Sequence, residues 1–167
     1  IVLNENNQLY MKRLFTEHSG KDDYKERFPL SLESDGTKRL LEYAPLISDV
    51  INNEVVYIVD EIERSIHPMM IKELIKKISS DTTAKGQLIF TTHESCLLDQ
   101  EILRPDEIWF TQKDMGGATQ MYSLSDFNIS NTATVENDYL NGRYGGIPFL
   151  SNLKELNWHT DDIPNQK

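Results

Sequence analysis

The sequence has little cysteine: Cys96 is the single one in 167 residues. That excludes an intramolecular disulfide and fits a reducing, cytoplasmic compartment. Positive charge is scarce too. Seventeen Lys and Arg stand against 27 Asp and Glu, a net charge of −10. Basic residues come at most in adjacent pairs, Lys12-Arg13, Lys38-Arg39 and Lys76-Lys77. Such a surface repels phosphate backbones and anionic lipid, so direct nucleic-acid contact by this segment is not expected. No apolar run approaches the roughly 18 residues of a membrane helix, so membrane insertion is not expected. No signal peptide is visible. The chain starts at Ile1, without an initiator Met and mid-strand in character. We therefore expect a piece of a longer protein. With no internal repeat and no linker, residues 1–167 read as one domain.

The chain is organised around Val55-Val56-Tyr57-Ile58-Val59-Asp60-Glu61. Five apolar residues without a polar break predict a strand buried on both faces, as at the centre of a parallel sheet. Asp60 and Glu61 would then sit at the carboxyl edge, where open α/β sheets bind ligands. A second run, Gln87-Leu88-Ile89-Phe90-Thr91-Thr92, ends in His93. Pro68 opens an amphipathic helix between them, with Ile71, Leu74, Ile75 and Ile78 on one face, ending near Ser79. A βαβ unit of this kind is right-handed by default. If the two strands are neighbours, Asp60, Glu61 and His93 converge. That grouping suits a magnesium-bound nucleotide phosphate.

Upstream, Ser31 to Thr37 leads into a helix whose stripe is Leu40, Tyr43, Ala44, Ile47 and Ile51. Ser34 or Asp35 is the expected N-cap. Gly36 permits close backbone approach, and the exposed amides with the helix dipole offer an anion site. Pro45 is expected to kink this helix. Residues 1–16 read as two strands around a polar turn, 17–27 as a charged loop, and 27–30 as an extended segment ahead of Pro29. Downstream we expect a short helix from Ser95 to Leu98, a strand over 107–111 and a hairpin turn over 114–117. A return strand over 119–124 and a short helix over 135–141 ended by Gly142 follow. The tail from Ser151 is polar, with Trp158 its one large anchor. Cys96 reads as a core residue, and His67 as a helix-start residue before Pro68.

An apolar strand followed by Asp-Glu is the Walker B pattern of nucleotide hydrolases. The whole order, with the wording Asp60-Glu-Ile-Glu-Arg-Ser-Ile-His-Pro68 and Thr91-Thr-His93, resembles ABC-type AAA ATPases without membrane domains. The resemblance is to the branch of OLD-like proteins related to RecF and SMC, many of abortive-infection or phage-defence type. It covers residues 31–98. The resemblance implies a fold class of α/β: the C-terminal lobe of a P-loop ATPase. Mostly parallel central strands with flanking helices would carry an N-terminal antiparallel meander and a C-terminal hairpin.

Carried over by position, Asp60 is the Mg²⁺ ligand, Glu61 the catalytic carboxylate and His93 the switch histidine that meets the γ-phosphate. Ser34, Asp35, Gly36 and Thr37 are the signature that closes on ATP held by a second subunit. Residues 64–67 fall where such proteins keep an inter-subunit loop. The implied partners are an upstream Walker A half, a second ATPase subunit in a homodimer, and a nuclease or toxin effector. Two departures matter. The signature is Ser-Asp-Gly-Thr rather than Leu-Ser-Gly-Gly-Gln, which argues against transport. No Gly-x-x-x-x-Gly-Lys-Ser/Thr occurs in the chain, so the main phosphate cradle is expected upstream. The Asn141-Gly-Arg-Tyr-Gly145 stretch also looks like the end of such proteins, with no chemistry assignable to it. Two other readings stay open: a metal-dependent nuclease using Asp60, Glu61, Glu63 and His93, and a noncatalytic interaction lobe.

Overall fold

The structure is a computed structural model that describes residues 2–3, 9–11, 13–129 and 134–147. The contacts divide the chain into two compact units, Ile1–Leu97 and Leu98–Lys167. The fold is mixed α/β.

The first unit opens with two antiparallel pairs rather than one continuous meander. Strand β1 (Val2–Leu3) pairs with β2 (Leu9–Tyr10), and β3 (Phe15–Ser19) with β4 (Lys25–Pro29). The expected polar turn between β1 and β2 lies outside the described residues. The second hairpin corrects the expected loop over 17–27. Its charges pair instead of solvating a loop: Glu17 faces Arg27 across the ladder and receives Lys25 Nζ at 2.7 Å. Opposite charges on facing strands support a ladder that composition alone reads as coil.

Helix α1 (Asp35–Asn52) starts at Ser34, whose side chain accepts from the Thr37 N–H. It runs unbroken through Pro45. The expected stripe is displaced at one position: Tyr43 and Val50 are buried, while Ala44 is exposed. Strand β5 (Val56–Val59) pairs in parallel with β6 (Gln87–Phe90), in the register Val56↔Gln87 through Val59↔Phe90. Helix α2 (Pro68–Ser79) connects them and buries Ile71 and Ile75. The short helix expected at Ser95 is a 3-10 turn, Ser95–Leu97. Among the described residues, β5–β6 is the one parallel pair of four two-stranded sheets.

The expectation of burial on both faces is not met. Tyr57, Val59, Leu88 and Phe90 are half-buried, whereas Val56 is 61 % exposed, Ile58 77 % and Ile89 45 %. A continuous apolar run announces that both faces want cover. Within this unit cover is supplied on one face only, and the outer face stays bare.

The second unit is built on the hairpin of β7 (Trp109–Lys113) and β8 (Thr119–Ser123). Its turn is held by Asp114, whose Oδ1 accepts from the Gly116 and Ala118 N–H groups. The first strand begins two residues later than expected, because Pro105–Glu107 forms a 3-10 turn. Phe110 stacks between Tyr139 and Tyr144 at 5.5 and 5.8 Å. Around them Ile108, Leu124 and Val135 close the core. Helix α3 (Val135–Leu140) precedes Gly142, at φ +81°. The stretch from Asn141 to Gly145 thus has a packing role: Tyr144 is 1 % exposed, and its carbonyl accepts from the Tyr122 hydroxyl at 2.7 Å. Pro148 to Leu150 and Trp158 lie outside the described residues. No helix among the described residues is long and apolar enough to cross a membrane.

Candidate functional site

All the chemistry-bearing residues singled out in the sequence lie in the first unit. The parallel ladder ends at Val59↔Phe90. Both chains then run on past their last paired residues, side by side. The Thr91 N–H donates to the Val59 carbonyl at 3.0 Å, and the Thr91 carbonyl accepts from the Ile62 N–H at 3.1 Å. The Thr91 hydroxyl donates to Asp60 Oδ1 at 2.5 Å and accepts from the Glu61 N–H at 2.9 Å. One side chain therefore orients the first carboxylate and pins the backbone of the second.

Glu61 sits at φ +48°, in the left-handed region, and Ser65 at +64°. Each such conformation costs a non-glycine residue on the order of 1 kcal/mol, and residues held there cluster at functional sites. The bend carries the Glu61 carboxylate toward His93. Glu61 Oε1 and His93 Nε2 are 3.9 Å apart, with the side chains 51 % and 85 % exposed. That separation permits electrostatic interaction but is too long for a hydrogen bond. Glu61 and His93 thus approach each other just past the strand ends, while Asp60 is held by Thr91.

The start of α1 is tied to this turn. A Cβ on Gly36 would lie 2.6 Å from the Ser65 carbonyl oxygen, so helix and turn touch backbone to backbone. Tyr43, about two turns further along α1, donates its buried hydroxyl to the Ile62 carbonyl at 2.8 Å. Burial pushes the Tyr43 hydroxyl's pKa up, with the Arg39 guanidinium 4.9 Å from its ring opposing. Ser34 is committed to capping: it accepts the Thr37 N–H at 3.1 Å and meets the Thr37 hydroxyl at 2.9 Å. The Asp35 side chain is 83 % exposed and pairs with Lys38 at 3.4 Å. A polar groove lined by Asp35, Lys38, Arg39, Glu42, Arg64 and Ser65 opens beside this helix start. Its three cations outnumber its two acids, so an anion is the ligand its charge suits.

His67 is the N-cap of α2, its Nδ1 accepting from the Met69 N–H at 3.2 Å. Cys96 is half-buried, its thiol 3.8 Å from the Pro68 carbonyl. Residues not singled out in the sequence also shape the site. Thr91 and Tyr43 order the carboxylate turn, and Ser65 receives the helix start. A hydroxyl at the end of a strand facing an Asp-Glu strand was the available signal for Thr91. For Tyr43 and Ser65 the sequence offered none.

Exposed carboxylates with a hydroxyl beside them fit a magnesium ion, which takes few protein ligands and keeps water and phosphate oxygens. A cation held wholly by protein finds less here. Among the described residues no group of three or more His, Cys, Asp or Glu side chains could hold a metal ion. The nuclease reading therefore gains no support from this arrangement.

Comparison with known proteins adds two findings. Residues 3–99 match the family model described as "AAA domain, putative AbiEii toxin, Type IV TA system". The chain is also similar to a curated protein of Helicobacter pylori (strain ATCC 700392 / 26695) named "ATP/GTP phosphatase", with 30 % identity over 129 residues. That alignment covers 74 % of this chain and 30 % of the relative, so the chain spans less than a third of that protein's length.

Proposed function

We propose that this chain, which belongs to the AAA domain family it matches over residues 3–99, is the signature, Walker B and switch-histidine half of an ABC-type ATPase. The observation that supports the reading is the approach of Glu61 to His93 just past the ends of one parallel strand pair, with Asp60 held there by Thr91. The relative's name, an ATP/GTP phosphatase, supports nucleotide hydrolysis as the chemistry of the complete protein. The branch proposed is that of OLD, RecF and SMC proteins.

The parts divide the work as follows. Asp60, oriented by the Thr91 hydroxyl, would be the residue to hold Mg²⁺. Bound Mg²⁺-ATP supplies the polarised γ-phosphate. Glu61 orients the attacking water and accepts its proton. His93 would donate a hydrogen bond to the γ-phosphate. The start of α1, Ser34 to Thr37, offers amides to the nucleotide of a second subunit, so two chains close around ATP as a dimer. The bare apolar face of Val56, Ile58 and Ile89 is where the upstream Walker A half packs in the complete protein. Burial of that face would be worth about 25 cal/mol for each Å² removed from water. Turnover would drive a separate effector, a nuclease or a toxin, in a phage-defence or DNA-linked process.

Steady-state hydrolysis of Mg-ATP by the complete protein tests this. Glu61→Gln keeps the side chain's shape and loses its basicity, so turnover should fall steeply while nucleotide still binds. Turnover within about twofold of the native protein, a barrier change well under 1.4 kcal/mol, removes Glu61 from that role.

A further inference from the structure

We infer that Glu63 is the positioning residue that holds His93 against Glu61, acting as a hydrogen-bond latch from the carboxylate turn to the loop after β6. The inference deepens the ATPase reading above and rests on it for the roles of Glu61 and His93.

The geometry is specific. Glu63 Oε1 accepts the backbone N–H of His93 at 2.9 Å. Residues 91–94, which include His93, have no regular secondary structure. The ladder has ended at Phe90, and the ties beyond it run from Thr91 to Val59, Asp60, Glu61 and Ile62. Past Thr91 the span to the imidazole is Thr92, whose hydroxyl accepts the Glu94 N–H at 3.0 Å, and His93 itself. Glu63 closes that span from the other strand's turn.

The carboxylate is itself well placed to hold. Glu63 begins the Glu63–Ile66 turn, with the Ile66 N–H bonded to the Glu63 carbonyl at 2.7 Å. The preceding residue is anchored by the Tyr43 hydroxyl on its carbonyl. Glu63 is half-buried. Burial pushes its pKa up, but hydrogen bonds from the His93 N–H, its own N–H and Thr92 outweigh that and hold it below the usual range. His93 and Glu61 do not hydrogen-bond each other at 3.9 Å. Their relative placement therefore depends on main chain, and Glu63 is the side chain that fixes that main chain. A displacement of about 1 Å in a reacting group can cost on the order of 10²-fold in rate.

Two variants of the complete protein separate this latch from other roles. Glu63→Gln keeps an acceptor oxygen at the same reach and loses the charge. Glu63→Asp keeps the charge and falls one methylene short of the His93 amide. We expect Glu63→Asp to lower ATP turnover about 10–100-fold with KM for ATP within about twofold, and Glu63→Gln to stay near the native rate. Hydrogen exchange of the peptide spanning residues 87–97 should speed up in Glu63→Asp and stay near native in Glu63→Gln. The reverse pattern, Gln inactive and Asp active, overturns the latch and makes charge the requirement. Native turnover in both variants overturns it as well. If the native protein does not hydrolyse ATP, the ATPase reading fails and hydrogen exchange alone decides. Unchanged exchange in Glu63→Asp then overturns the latch, and faster exchange supports it.

Discussion

Thr91 and Asp60 directly follow different strands, and the Thr91 hydroxyl donates to the Asp60 carboxylate at 2.5 Å. The same oxygen accepts the Glu61 N–H, so one hydroxyl serves both acids. Thr91→Val keeps the shape and deletes both bonds. With each bond worth about 0.5–1.5 kcal/mol net, the expected loss is about 1–3 kcal/mol of stability. Glu61 should also leave its left-handed conformation more readily, lowering turnover. Thr91→Ser should restore both. Denaturant unfolding of the three proteins checks this, and a Val variant as stable as the native one would show that the hydroxyl is idle.

Gly36 meets the Ser65 carbonyl where a Cβ would lie 2.6 Å away. Two effects compete in Gly36→Ala. Alanine is the better helix former by about 1 kcal/mol in a helix interior, and by less in a first turn. Forcing a methyl against fixed backbone costs about 1–3 kcal/mol. The clash should win, lowering the melting temperature and moving the start of α1 off the 61–66 turn. A melting temperature raised by the substitution would mean that the contact yields easily.

Glu33 joins the β3–β4 hairpin to the start of α1. It hydrogen-bonds with the Thr16 hydroxyl and receives His18 Nε2 at 2.5 Å. These bonds, Thr16 first, hold its carboxyl below the ordinary value of 4.5. A carboxyl depressed on folding adds stability above its unfolded pKa, and that contribution is lost as pH falls through the folded value. Thermal unfolding should therefore drop on acidification below about pH 4.5. Glu33→Gln should flatten part of that acid limb while changing little at neutral pH relative to its own plateau. A parallel acid limb in the variant would place the loss elsewhere.

The chain by itself should bind Mg-ATP weakly and not hydrolyse it. It contains no phosphate-cradling glycine loop with its lysine. Asp60 and Glu61 add negative charge facing a polyphosphate. Calorimetry on the 167-residue chain measures this. Stoichiometric binding with Kd near or below about 1 μM, or −8.2 kcal/mol, would mean that this chain holds a complete nucleotide site.

Much of this arrangement was written in local pattern. The two apolar runs and the Pro68 helix between them were enough to expect the parallel pair, and β5 and β6 are paired in parallel. Ser34 as N-cap, the Asp114 turn and Gly142 after α3 followed from residue chemistry at chain reversals, which acts over a few residues. The charged segment 17–27 misled because its ion pairs are cross-strand, and no composition window sees a partner eight or ten residues away.

The sequence by itself determined which residues are apolar, which carry acid or imidazole, and in what order they come. Only the tertiary structure decided what each one meets. An apolar run cannot say whether one face or both find cover, so the bare side of Val56, Ile58 and Ile89 was invisible. Nor could Glu63 be told from a solvent-facing charge, because its partner is an amide 30 residues on. Tyr43 read as one more stripe residue until its hydroxyl met the Ile62 carbonyl. Periodicity encodes distance along the chain, whereas hydrogen bonds and burial depend on distance through space, and folding alone relates the two.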